Sequence, residues 1–492
     1  MQLQTNAPAF VLITPPAITH VNNECGVDCD CACPFIPVEQ AALAAARLGP
    51  AIQLHPQAQF VALEGEFSLL YIPSTLAGVV VSAALRAWLL GLRQPTPVET
   101  LASNPHARRL IEQCAAMGVL VSDTPAPPVP PAETLVAWLH VTNACNLRCT
   151  YCYLNKTDEP MSSATGREAV DAIVRSARLH GYRALKLKYA GGEAALNFPL
   201  IEELHAYAQN QAAAYDLRLD EVVLSNGVGL ARARLELLRD LGIRLMISLD
   251  GLAEFHDRQR VFANGRGSFR AVAHTIERAL AIGLVPDISV TITGQTASGA
   301  ANVVAWLLER DLPFSINFYR ENDCSAGFAE LQLDQQHILA GMQAALQVIE
   351  ARLPLRSLLG SLVDRGNLNG PHTRPCGAGH DYMVIDQRGG IAKCQMEIER
   401  PVTSIAAADP LGLIRADMIG VRNIPVQQKQ GCRDCEWQLW CAGGCPVATF
   451  RATGRYDVQS PNCAIYKALY PDVVRLEGLR VLRYGAREEF AV

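Results

Sequence analysis

The sequence predicts an α/β fold: a parallel sheet of six strand–helix units, preceded by a small mixed domain and followed by a cysteine-rich region. Three observations carry this. Beyond residue 134, short apolar runs alternate with longer helical stretches, and such alternation builds parallel sheet. A Pro-rich stretch, VSDTPAPPVPPAET, stands before the first of those units and marks a boundary between domains. The 16 cysteines cluster at short, repeated spacings rather than scattering along the chain.

Residues 1–37 read as an irregular Pro- and Cys-rich head. It contains CGVDCDCAC, with Cys25, Cys29, Cys31 and Cys33. Four thiols in one short segment offer metal or cluster ligands, although C-x-C spacing strains a tetrahedral site. A flexible redox segment is the alternative. Residues 38–122 read as the small domain. Its apolar runs AIQLH, FVALEG and FSLLYI, between 51 and 72, predict a strand meander. Residues 74–92 predict a helix nearly long enough to span a bilayer. Ser82 and Arg86 interrupt it and Pro73 precedes it, which favours a buried helix over a membrane span. Two shorter helices follow, at 97–103 and 105–117. The linker is placed at 123–134.

The predicted strands of the main domain, 135–325, lie at 135–141, 185–189, 221–224, 244–248, 287–291 and 315–319. Six units are too few for the usual closed eight-unit barrel. A long amphipathic helix, 333–353, fills the connection at 326–369. The cysteine-rich domain spans 370–465, and 466–492 reads as a C-terminal extension.

With 492 residues, half of them hydrophobic, the chain can bury large cores in roughly two to four domains. Net charge is −5 with no basic block, which argues against nucleic acid as a partner. The N-terminus carries no charged n-region and no small-residue cleavage site. Together with the cysteine spacing, this predicts a reducing, cytoplasmic setting and metal ligation rather than disulfides.

The chemistry is concentrated at predicted strand ends, where parallel α/β folds bind ligands. Directly after the first strand comes VTNACNLRCTYCYL, with Cys145, Cys149 and Cys152 as C-x3-C-x2-C. Three thiolates in one loop hold three corners of a cubane and leave one iron open. A zinc knuckle is the bland alternative, but zinc wants four ligands and no partner pair lies nearby. The second strand ends in Gly191, Gly192 and Glu193, the third in Ser225 and Asn226, and the fourth in Ser248 and Asp250. Taken singly, these fit turns and helix caps equally well. Cys324 follows the sixth strand. It is either a hydrogen-atom donor or a packed, inert thiol, and the packed role is favoured.

The cysteine loop, with Tyr151 just before its last cysteine, and the Gly-Gly-Glu one unit later resemble the radical S-adenosylmethionine (SAM) enzymes. The resemblance implies a partial (β/α)6 barrel. It implies that Cys145, Cys149 and Cys152 hold a 4Fe-4S cluster whose open iron chelates SAM. Tyr151 would flank the adenine, and Gly191, Gly192 and Glu193 would hold the amino group. Ser225, Asn226 and Ser248 would contact the carboxylate and ribose, and Asp250 either SAM or substrate. Cys376, twelve residues, Gly389, four residues and Cys394, followed by Cys432-x2-Cys435-x5-Cys441-x3-Cys445-x17-Cys463, resemble the SPASM domain, with YMVIDQRGGIAKC as its hairpin. That domain implies two auxiliary 4Fe-4S clusters, making three in all. Cys432, Cys435, Cys441 and Cys463 would close one. Cys376, Cys394 and Cys445 would hold the other, one ligand short unless His380 or Asp381 fills the corner.

Residues 38–122 resemble in pattern the winged-helix-like precursor-recognition domain of pyrroloquinoline quinone biosynthesis, which binds a leader peptide by strand addition. The resemblances imply a cytoplasmic peptide maturase with a precursor peptide or protein as substrate. An electron donor such as flavodoxin or ferredoxin would serve it, with no membrane partner. Thioether formation is the favoured outcome. Carbon–carbon crosslinking, epimerisation through Cys324 and formylglycine formation are alternatives. Gln395 stands where sulfatase-type maturases carry an aspartate, which counts against the last. A non-catalytic electron-transfer protein is the alternative from another class.

Overall fold

The structure is a computed structural model that describes residues 10–15, 49–73, 78–122, 133–364, 366, 368 and 371–490. Cys25, Cys29, Cys31, Cys33 and most of the predicted linker lie outside the described residues.

The N-terminal part contains β1 (Phe10–Thr14), β2 (Ala51–Leu54), β3 (Gln59–Ala62), β4 (Phe67–Tyr71), β5 (Gly78–Ser82), α1 (Ala83–Gly91), β6 (Thr96–Pro97), α2 (Val98–Leu101), α3 (Pro105–Ala116) and β7 (Leu120–Val121). Two sequence expectations change here. The predicted meander splits, because β2 leaves it to pair with β6 and β7 in a separate three-stranded sheet. The predicted helix at 74–92 begins instead as β5, GVVVS, whose three consecutive valines suit a strand. Ser82, which reads as an interruption, is the helix cap: its hydroxyl accepts from Leu85 N at 3.4 Å and from Val11 N at 3.1 Å. The helix left over has nine residues. Among the described residues, no helix is long and apolar enough to cross a membrane.

The second sheet runs β17-β1-β5-β4-β3, where β17 (Ala486–Phe490) comes from the far end of the chain. Phe10 pairs with Phe490 and Thr14 with Ala486. The head and the C-terminal extension, separate in the sequence reading, thus meet in one sheet. Strand alternation gives this sheet two buried faces. Leu12, Leu70, Ile72, Val79 and Val81 pack on α1 and α3. Val11, Ile13, Leu69, Tyr71 and Val80 face the other way, into the main core of the molecule.

The main domain alternates β8 (Thr134–Thr142), α4 (Ser163–Leu179), β9 (Ala184–Gly191), α5 (Phe198–Ala214), β10 (Arg218–Ser225), α6 (Arg232–Asp240), β11 (Arg244–Ser248), α7 (Glu254–Asp257), α8 (Phe269–Ala281), β12 (Asp287–Ile292), α9 (Ala300–Glu309) and β13 (Phe314–Phe318). All six strands are parallel, in the order β13-β12-β11-β10-β9-β8. Each of the six predicted strands lies at its predicted place. The connecting helix is α10 (Gln335–Ala351).

The sheet does not close. Its β8 edge is extended by β14 (Tyr382–Ile385), parallel to β8, then by β15 (Gly390–Ala392) and β16 (Thr403–Ser404). β14 and β15 are the hairpin read in YMVIDQRGGIAKC. Asp386 Oδ1 pins its turn by accepting from Arg388 N and Gly390 N, each at 2.8 Å, and Gly389 takes the left-handed conformation at φ 89°. The C-terminal region then adds α11 (Pro410–Ala416), α12 (Gln438–Cys441), α13 (Pro446–Thr453) and α14 (Cys463–Tyr484). α14 starts on Cys463 and runs along α10 to the inner face of the five-stranded sheet, where Leu476 and Leu479 are buried.

Candidate active site at the ends of the parallel strands

A cavity opens at the C-terminal ends of β8 to β13. Cys145, Cys149, Tyr151 and Cys152 line it, as do Gly191, Gly192, Glu193, Ser225, Asn226 and Ser248. The first cysteine loop, the Gly-Gly-Glu segment and three strand-end polar residues therefore share one space.

The two glycines serve the loop's packing. Gly192 N donates to Thr142 O and Glu193 N to Ala144 O, both at 2.8 Å. A Cβ on Gly191 would stand 2.3 Å from Thr142 O, and one on Gly192 2.4 Å from Ala144 O. Only glycine lets the end of β9 lie this close to the backbone leading into Cys145.

Glu193 is 2% exposed. Its Oε1 accepts from Ser225 Oγ at 2.8 Å and Ala195 N at 3.1 Å, and its Oε2 accepts from Asn226 N at 2.7 Å. Burial raises its carboxyl above the ordinary range, against the pull of these donors. Asn226 in turn donates to Asn146 Oδ1 at 2.7 Å and lies 3.9 Å from Cys145 Sγ. Glu193, Ser225 and Asn226 thus form one hydrogen-bonded unit against the cysteine loop.

Asp250 does not line the cavity. Its carboxylate is sealed behind it, accepting from Tyr151 OH at 2.7 Å, Gln259 Nε2 at 2.8 Å, Arg260 Nε at 2.6 Å and Thr291 N at 2.9 Å. Burial works to raise its pKa, but the Arg260 guanidinium and the hydrogen bonds hold it below the ordinary range. Its partner Arg260 does face the cavity and stands over the Tyr151 ring, 5.2 Å from the centroid. Sequence reasoning missed Arg260, Gln259 and Thr291, because no motif marks them; the clue available was an arginine in the loop after a strand-end aspartate.

Burial pushes the Cys149 thiol up to about 12, while Arg260 pulls it down, and burial raises Cys145 as well. A bound metal would reverse this, since coordination deprotonates thiols. The all-sulfur donor set fits cluster iron. Among the described residues, no three His, Cys, Asp or Glu side chains converge on a single-ion site. A cubane gives each thiolate its own iron, so such convergence is not required of these cysteines. All described cysteines are free thiols.

Cys324, expected to be packed, is exposed. It lies outside the cavity lining and donates to Asn155 Oδ1 at 3.5 Å. The opposite wall of the cavity includes Gln395 and Met396, directly after Cys394. In the cysteine-rich region, Cys432 and Cys445 are buried and Cys376, Cys394, Cys435, Cys441 and Cys463 half-buried. Asn423 Nδ2 lies 3.7 Å from Cys376 Sγ, and His380 turns its Nε2 to Asn423 O at 3.1 Å.

Residues 139–307 match the Radical SAM superfamily model. The chain is 25% identical over 268 residues to the sporulation killing factor maturation protein SkfB of Bacillus subtilis, covering 53% of this chain and 60% of that one. It is 34% identical over 131 residues to the uncharacterized protein MJ0907 of Methanocaldococcus jannaschii, covering 26% and 43%. The chain thus spans about half the length of the curated relatives it matches. A structure described as native anSMEcpe with bound AdoMet and Cp18Cys peptide superposes with a TM-score of 0.58 at 18% identity, covering 70% of this chain and 98% of that one. Residues 139–307 thus carry the family match, and the chain shares the fold of that solved structure, with a partly barrel-like α/β core.

Proposed function

We propose that the protein is a radical SAM maturase that installs a thioether between a cysteine sulfur and a carbon of a ribosomally made peptide. One observation carries the reading. Cys145, Cys149 and Cys152 share a cavity with Glu193, Ser225, Asn226 and Ser248, and residues adjoining Cys394 complete its wall. When bound, a cluster on the first three cysteines supplies the electron that cleaves SAM to a 5′-deoxyadenosyl radical. Around it, Glu193 offers carboxylate lone pairs to an ammonium, and Ser225 and Ser248 offer hydroxyls to a carboxylate or ribose. Arg260 adds a fixed cation beside Tyr151.

Thioether formation replaces one C–H and one S–H by a C–S bond. One hydrogen atom would go to deoxyadenosine and the thiol proton to solvent, and an auxiliary cluster held by the C-terminal cysteines would supply the acceptor for the remaining electron. Cys376, Cys394 and Cys445 offer three thiols to a four-cornered group, which leaves a corner for the substrate sulfur. The N-terminal domain supports a peptide substrate: β3 is an edge strand among the described residues, the kind of element to which a leader adds as a further strand. A flavodoxin or ferredoxin is the natural class of electron donor.

The test uses anaerobically reconstituted enzyme and a synthetic cysteine-bearing precursor peptide. Under reductant, wild type is expected to form 5′-deoxyadenosine, and the C145A/C149A/C152A variant none. The peptide is expected to lose two hydrogens and its alkylatable thiol. Deoxyadenosine from the triple variant would end the radical SAM reading. The same mass loss with a free thiol would mean carbon–carbon crosslinking, and unchanged mass with solvent deuterium at one carbon would mean epimerisation.

A further inference from the structure

Among the described residues, Lys429 is a deeply buried cation with no carboxylate beside it. Its side chain is 1% exposed. Nζ donates to Ala442 O at 3.0 Å, and among the described residues no carboxylate pairs with it. Lys393, nearly as buried at 4%, shows the usual solution: its Nζ meets Asp417 Oδ2 at 2.7 Å and two backbone carbonyls. An ammonium out of water is costly unless an anion stands beside it.

The groups around Lys429 that can become anionic are thiols. Lys429 O accepts from Cys432 N at 3.1 Å, and the Ala442 carbonyl that Nζ holds stands between Cys441 and Cys445 in the chain. Burial lowers the pKa of the ammonium, and the thiols that oppose that shift are Cys432, Cys441, Cys376 and Cys445. The first two belong to one of the two ligand sets read from the sequence, the last two to the other. The backbone is shaped around this position. Ala442, Gly443 and Gly444 all take positive φ, at 48°, 80° and 70°. That turn points the Ala442 carbonyl at Nζ. A Cβ on Gly443 would stand 2.4 Å from Lys429 Cδ and 2.8 Å from its Nζ. Glycine at 443 is therefore what lets the lysine reach between the two sets.

We propose that Lys429 is the shared counter-ion of two auxiliary clusters, and that its ammonium raises the reduction potential of both. The inference rests on the reading that the seven C-terminal cysteines hold two clusters. Thiolate-ligated cubanes are anionic and gain a further negative charge on reduction, and their potentials follow net charge and hydrogen bonds to sulfur. A fixed cation between them favours the reduced form of each. It makes the pair a better sink for the electron that crosslinking releases.

The test uses full-length protein carrying C145A/C149A/C152A, so that only auxiliary iron remains. Iron content and a redox titration followed by electron paramagnetic resonance are measured with Lys429, Lys429→Met, Lys429→Gln and Lys429→Arg. The expected result is about eight irons, from two four-iron clusters, in every form. Both potentials shift to more negative values in Lys429→Met, and Lys429→Arg stays near the parent. Full iron with neither potential moved, or with only one moved, overturns the shared counter-ion. If Lys429→Met loses iron, Lys429→Gln is titrated in its place. If neither neutral variant holds the iron that Lys429→Arg holds, or if all three lose it, the lysine serves assembly or packing rather than tuning, and the proposal is likewise overturned. No auxiliary iron in the parent would instead remove the two-cluster reading itself.

Discussion

His256 shows how finely the interior behind the site is set. It is fully buried, its Nδ1 receives the Asp250 N–H at 3.3 Å, and its Nε2 lies 3.0 Å from Ser268 Oγ. These partners fix a neutral ring with the proton on Nε2. Burial lowers its pKa from 6.5 to about 4; Asp250 and Asp257 oppose that shift and Arg260 adds to it. The unfolded chain therefore binds a proton near pH 6.5 that the folded chain refuses until about pH 4. Stability from this group is complete above pH 6.5 and falls as pH drops toward 4, by about 2 kcal/mol at pH 5. Urea midpoints at pH 7.5 and pH 5 are expected to differ by that amount in wild type. The difference is expected to shrink in His256→Gln, whose amide offers a donor and an acceptor without titrating. An equal pH dependence in the two proteins would rule His256 out as the source. At this scale the sequence displays the residue types set at short fixed spacings, and conceals those that act by burial. Asp250 is visible as a strand-end carboxylate, but nothing in MISLDG says that the side chain turns inward to Arg260.

Strand β9 and the cysteine loop act as one element. Their contact is backbone on backbone at Gly192, with no side chain able to give way. Gly192→Ala is expected to displace the loop and to cost about 3 kcal/mol, in the range of overpacked cores. The expected readouts are a lower melting temperature and loss of the iron bound at Cys145, Cys149 and Cys152, with auxiliary iron retained. Wild-type melting and full iron in the variant would refute the account. The six parallel strands were legible because each is a short apolar run bounded by polar turns and followed by a helical period. The segment at 74–92 was not. An all-apolar run has no periodicity to separate strand from helix, and β5 is settled by pairing with β4 and β1, far away in sequence.

Across the whole molecule, the N-terminal sheet is no detachable module. Val11, Ile13, Leu69, Tyr71 and Val80 pack into the same core as α14 and the barrel. At about 2 kcal/mol for each buried apolar side chain, that face contributes roughly 10 kcal/mol, comparable with the net stability of a domain. The sequence suggested a recognition domain ending at the linker, with a separate C-terminal extension. The pairing of β1 with β17 is a contact between the two ends of the chain, which no local pattern reveals. Deleting residues 10–122 is therefore expected to leave α14 uncovered and to yield aggregated protein, read by size-exclusion chromatography and loss of a cooperative thermal transition. A monomeric truncation that melts cooperatively and still forms deoxyadenosine would show the sheet to be dispensable.

Trp437 and Trp440 lie between Cys435 and Cys441 and pack against Tyr71, with Tyr470 closing on Trp437. Trp138 lines the cavity beside the first cysteine loop. Trp88 packs instead on Phe10, and Trp306 sits on α9 under Arg310. Iron–sulfur clusters absorb broadly where indole emits, so the five tryptophans divide into an optical gauge. If clusters fill the two cysteine regions, emission from Trp437 and Trp440 is expected to dim as auxiliary iron arrives, and that of Trp138 as the first loop fills. Trp88 and Trp306, packed away from both cysteine regions, are expected to supply the steadier background, so that the order of loading would be readable from light alone.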